Sequence, residues 1–143
     1  GAAVAAEARR VAERVRLVAT LPGLDHLVRS GRVPGIAGWA GTHLGLHPLF
    51  EFHDGAVRLL RPALSPDAAT DRMLDRVVRT GPSGARLHVA ALHALAQSVA
   101  DALLERLGDQ APVEAFVAAF GPVMVVHTGP GLVGVAWWWD DPV

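Results

Sequence analysis

His127 and Thr128 stand together at the end of an apolar run and just before two glycines, in FGPVMVVHTGPGLVG (residues 120–134). An imidazole and a threonine hydroxyl are both hydrogen-bond donors, and an ionised carboxylate only accepts. At the mouth of an apolar cavity the pair would hold the head group of an amphiphile. Val123, Val125, Val126, Leu132 and Val135 surround His127 with apolar side chains and bring no acid to activate it as a base. Gly129, Pro130 and Gly131 form a sharp turn that shapes the site, and its glycines let other atoms approach the backbone closely. The residues alone leave a plainer reading open, a tight turn whose histidine bonds a backbone carbonyl.

Other chemistries are poorly supported. The seven histidines invite a metal. His43 and His47 are four apart, yet Gly45 and Pro48 oppose a regular helix through both, and no HExxH or HxH spacing occurs, so no metal site is expected. The absence of Cys excludes disulfides, thiolate ligands and a thiol nucleophile. Ser98, His93 and Asp101 lie on or beside one helix without a G-x-S-x-G elbow. Gly129-Pro130-Gly131 leads into a strand, whereas a phosphate loop leads into a helix. Arg32 and Arg61 could each reach an anionic head group or a partner. Asp140-Asp141 reads as a solvated tail.

The chain has 143 residues, enough for one domain with a real core. Apolar residues make up 51% and charged ones 19%, which fits a globular protein. A net charge of -1 argues against nucleic-acid binding by charge neutralisation and against a polybasic membrane module. No apolar run approaches the roughly 20 residues of a membrane span. The opening Ala/Arg stretch has the wrong order for a signal peptide, and Glu7 and Glu13 oppose a transit peptide.

Pattern places the elements that must position the site. Ala2 to Arg14 has helical spacing, and Val15 to Thr20 reads as a buried strand broken by Pro22-Gly23. Leu24 to Arg29 is a short helix, and Gly35 to Gly45 a glycine-loosened one. Leu49–His53 and Ala56–Leu60 flank Asp54-Gly55, a favoured hairpin turn. Ser65 caps a helix that has Pro66 at its first position and runs to Arg79. A strand over 85–91, a helix over 94–107, a strand over 113–118, a short helix to Val126 and a closing strand over 132–139 complete the pattern. The prediction is an α/β domain of two layers, with a mixed sheet and helices on one face.

Three blocks in this order resemble the DegV family of bacterial lipid-binding proteins, specifically their C-terminal domain. They are TLPGLDHLVRSGRV (20–33), LHPLFEFHDGAVRLLR (46–61) and the His-Thr-Gly-Pro-Gly segment above. The resemblance implies two domains with a fatty acid in a tunnel between them. The chain would then hold only the second domain, with the N-terminal one absent from it. His127 matches the histidine that helps to hold the carboxylate; the remaining head-group ligands belong to the N-terminal half. Ile36, Trp39, Leu44, Leu46 and Val125 are the expected tunnel lining. The implied role is a cytoplasmic carrier of a long-chain fatty acid with no catalytic residue and no cofactor, which presents the acid to a fatty acid kinase. The alternative is a small-ketone site like that of the dihydroxyacetone kinase substrate domain, with His127 as the covalent ligand. Departures are Ser30 in a glycine pair, His47 in place of a lysine, an arginine cluster reduced to Arg61, and the bulky Trp137-Trp138-Trp139. An apolar face drawn from Ile36, Trp39, Leu44, Val125 and the Trp run is expected to be exposed until another domain or a second copy covers it, so the isolated domain could self-associate.

Overall fold

The computed structural model describes residues 1–31 and 45–141. Among these, six strands form one sheet: β1 (Arg16–Thr20), β2 (His47–His53), β3 (Ala56–Ala63), β4 (Leu87–His93), β5 (Glu114–Ala119) and β6 (Val133–Trp139). Their order is β3-β2-β1-β6-β4-β5, and only β4 and β5 run parallel. The α-helices are α1 (Ala2–Ala12), α2 (Asp25–Ser30), α3 (Pro66–Arg79), α4 (Gln97–Leu107) and α5 (Pro122–Thr128).

Local chemistry explains most boundaries. Asp54 and Gly55 both take positive φ, 51° and 69°, as a two-residue hairpin turn of the favoured type requires. Ser65 Oγ accepts from Ala68 N at 3.1 Å, and Pro66 follows at the first helical position. The second half departs from the pattern at 94–96. β4 continues to His93, and α4 begins only at Gln97. Ala94 is tied into the turn before β6, donating to Leu132 O at 2.8 Å and accepting from Gly131 N at 2.7 Å. Leu95 has φ 55°, which no helix allows, and Ala96 N donates to His93 Nδ1 at 3.3 Å. Apolar periodicity cannot register such a tie.

Alternation divides the sheet into two faces. Val18, Leu49, Val89, Ala91, Val133, Val135 and Trp137 point to one side. There α3 lays down Ala69, Met73 and Val77, and α4 lays down Ala100, Leu103 and Leu107. Both sets follow helical spacing, and each large buried side chain contributes about 1.5–3 kcal/mol. Glu51 is buried on this side and is met by Arg76 Nη1 at 2.7 Å. α3 and α4 thus share one face, whereas the expected arrangement put all helices on one side. Among the described residues the other face takes α2 and α5, at one end, around Ala19, Leu21, Leu24, Leu27, Phe50 and Leu132.

Two further expectations are corrected here. Of the Trp run, only Trp138 contributes to the open apolar face. β6 lies between β1 and β4, so Trp137 is swallowed by the core, Trp138 stacks on His88, and the Trp139 ring packs on Gly81. Nor are Asp140 and Asp141 a free tail. Asp140 meets Arg86 and His88, and Asp141 Oδ1 accepts from Arg14 Nη2 at 2.7 Å.

That last contact has a pH consequence. α1 buries none of its residues, and Arg10 and Arg14 tie it to Asp141. The hydrogen bond from Arg14 holds the Asp141 carboxyl below its ordinary range, and Arg10 does the same for Glu7. A lowered folded-state pKa stabilises above the unfolded value and is lost as pH falls through the folded one. Protection of the α1 amides, taken against their intrinsic exchange rate at each pH, should therefore fall at acid pH and at high salt before the core is affected. Protection unmoved by either would show that these pairs do not hold the helix.

Candidate functional site

α5 opens with Pro122 at its first position and stops at Gly129, whose φ of 77° and ψ of 173° are open essentially to glycine alone. Gly129 N donates to Val125 O at 2.8 Å, closing the last turn. His127 and Thr128 therefore lie in that last helical turn, and the sharp turn begins one residue later. The space at Gly129 is filled by α2 and that at Gly131 by the β1–α2 connection. A Cβ on Gly129 would fall 2.5 Å from His26 Cδ2, and one on Gly131, at φ 92°, would fall 2.5 Å from Pro22 Cγ. Pro130, between them, is exposed.

Beneath α2 and α5 the sheet leaves a cavity of about 180 Å³. Leu17, Phe50, Phe52 and Val57 form its floor and side, and Met124 and Leu132 its roof and end. Register extends the floor sideways. Leu17 pairs with Ala136 and Ala136 with Ala90, while Ala19 pairs with Gly134, so small residues pave the centre of this face. Phe52 and Val57 on one side and Phe116 on the other remain 37%, 48% and 50% exposed. A second groove of about 280 Å³, lined by Val15, Ala90, Phe116, Ala136 and Trp138, continues across the same face. The surface is shaped for a thin apolar molecule, with its rim left open.

His127 is half-buried and is not among the residues that line the cavity; it stands in the last turn of α5 beside Met124 and Thr128, which do line it. Its ring makes no hydrogen bond or ion pair to another described residue. Thr128 lines the cavity, yet its hydroxyl is turned to the backbone, 2.9 Å from Met124 O and 3.2 Å from Gly129 O. The proton of Thr128 is therefore engaged, and His127 is the free donor of the pair.

The other expected residues separate. Val125 packs on the second cluster, beside the cavity. Leu46 is half-buried just before β2 and does not line the cavity. Arg61 is not brought to His127. The ladder irregularity between His47 and Leu49 turns it toward α3, where it lines a groove with Arg72, Arg76 and Arg79. Arg32, Ile36, Trp39 and Leu44 lie outside the described residues. Sequence reasoning missed Leu17, Phe50, Phe52 and Val57. Their alternation in the hairpin was the available signal, and it marks two apolar faces without telling which is roofed. Among the described residues no group of three or more His, Asp or Glu could hold a metal ion. No helix among them is long and apolar enough to cross a membrane.

The family model for uncharacterised DegV family proteins matches residues 2–139. The chain belongs to the DegV family. A DegV domain-containing protein of Mycobacterium tuberculosis is 40% identical over 135 residues, covering 92% of this chain and 48% of the relative. The chain spans about half the length of the curated relatives it matches. A DegV family protein of Thermus thermophilus, described for its fatty acid binding, superposes with a TM-score of 0.82 at 28% identity, covering 95% of this chain and 49% of that one. A DegV family protein of Ruminococcus gnavus, refined with vaccenic acid, superposes at 0.78 with 20% identity, covering 93% and 48%. That second likeness shows the fold alone. In this DegV chain the segment 120–134 supplies α5, the glycine turn and the start of β6, so one stretch of sequence carries Met124, Thr128 and Leu132 of the cavity lining together with His127.

Proposed function

We propose that this chain is a lipid-binding module whose open sheet face forms one wall of a fatty-acid site, with His127 donating to the carboxylate. The observation that carries this is the wholly apolar cavity that Met124 and Thr128 line, with His127 beside them in the last turn of α5 and its ring unpartnered among the described residues. The fatty acid binding described for the Thermus relative supports the same reading. A cavity of about 180 Å³ is smaller than the 300–1,000 Å³ usual for a complete small-molecule site, which fits one wall of a larger tunnel. The second wall, with the other head-group donors, would come from an N-terminal domain of the kind the family resemblance implies. An apolar lining favours an acyl chain over a small polar ketone. The role is that of a carrier, and a fatty acid kinase is the proposed recipient of the bound acid in the cytoplasm.

Substituting His127→Ala in the full-length protein should cost roughly 1–3 kcal/mol of fatty acid affinity, the worth of one hydrogen bond to a charged group. Melting temperature should barely move, because the ring is only half-buried. Affinity for the fatty alcohol of equal length should change less than that for the acid. Titration of both ligands against both proteins is the check. Equal losses for acid and alcohol would make His127 a packing residue only.

A further inference from the structure

The face of β6 that looks into the groove presents Gly134, Ala136 and Trp138 in succession: a hydrogen, a methyl and an indole. Leu17 Cδ1 and Ala19 Cβ close over Gly134, 3.2 and 3.1 Å from where its Cβ would stand, so the floor is set by Leu17 and Ala136 near the glycine turn and by the indole at its far end. Trp138 is the cross-strand partner of His88, and the two rings stack with centroids 3.9 Å apart and planes 13° from parallel. His88 is fixed in turn. Its Nδ1 lies 3.2 Å from Glu114 Oε2 and its Nε2 3.3 Å from Asp140 Oδ1, and Arg86 Nη2 holds the other oxygen of Asp140 at 2.5 Å. Trp138 and His88 together make a braced ridge across the groove that Ala90, Ala136 and Phe116 line.

We propose that Trp138 is the end-stop of the acyl groove and sets the longest chain that this protein binds along its full length. The inference rests on the fatty-acid reading above. Val133 follows the turn that α5 feeds, and Trp138 lies five residues further along the same strand, about 17 Å at roughly 3.3 Å per residue. A chain anchored at His127 and lying along this floor meets Leu17 and Ala136 first and the indole last. Swinging the indole aside would break its stack on the His88 ring, which Glu114 and Asp140 flank. Methylenes that fit before the ridge each tighten binding about fourfold, and those beyond it add nothing.

The test is titration of saturated fatty acids from twelve to twenty carbons against the full-length wild type, Trp138→Ala, Trp138→Phe and His88→Ala. In the wild type, affinity should climb with length and then level off. Trp138→Ala should move the levelling point by two or more carbons, and His88→Ala, which leaves the indole unbraced, by less. Trp138→Phe keeps a shorter wall and should fall between wild type and alanine, and it carries the test if the alanine variant does not fold. A folded Trp138 variant with the wild-type length profile would overturn the end-stop while leaving the carrier reading intact. A wild type that binds no acid of any length would overturn the carrier reading itself.

Discussion

Replacing both turn glycines, Gly129→Ala and Gly131→Ala, is expected to destabilise the domain by about 2–4 kcal/mol and to displace His127. Each position combines two costs. The backbone lies at φ 77° and 92°, where an L side chain is strained by about 1–3 kcal/mol. Each new methyl would also lie 2.5 Å from an atom of His26 or Pro22, so α2 and the connection before it must retreat or the turn must open. Denaturant unfolding of the single and double variants measures the loss. A binding titration at a temperature where the single variants remain folded separates the displaced histidine from global instability. Loss of less than half a kilocalorie in both single variants would mean that the turn adapts freely.

Trp137→Ala should be the most damaging change in the Trp run, at about 3–5 kcal/mol. Its side chain is 2% exposed at the centre of the main core, and its Nε1 donates to Thr80 Oγ1 at 2.8 Å. Truncation leaves a cavity between β6 and α3 that neither element can close, because β6 is paired on both sides. Trp139 is only half-buried and rests on Gly81, so its truncation should cost less. Thermal melts of the variants order them, and a Trp137→Ala protein as stable as Trp139→Ala would contradict the assignment of the core.

What could be read without coordinates was whatever short-range chemistry dictates. Asp54-Gly55 fixes its hairpin, Ser65-Pro66 its helix start, and Gly129 and Gly131 their turn, because a few residues suffice to define each. The site histidine was legible for the same reason, being framed by an apolar run and two glycines. Strand order was not. Nothing local tells that the three tryptophans lie between two other strands, that Arg61 is turned away from His127, or that Asp140 and Asp141 have charged partners near the start of β1 and β4. Thr128 shows the same limit at the scale of one hydroxyl, since a composition that offers a donor does not say that a carbonyl four residues back already holds it.

The central place of β6 has a consequence for how the chain is made. β1, β2 and β3 form one antiparallel unit and β4 with β5 another, and within the sheet β6 alone joins them. It is the last of the six strands to leave the ribosome. Until it does, β1 and β4 each present an open edge, and the apolar sides of α3 and α4 have only half a sheet to pack on. The nascent chain must therefore wait in two unfinished pieces, exposed to aggregation, and final closure depends on pairings between residues more than a hundred positions apart, such as Arg16 with Trp137. Removal of the last strand would leave two fragments of a sheet with no means of finding each other, and a stalled or truncated message should yield insoluble protein in place of a smaller domain.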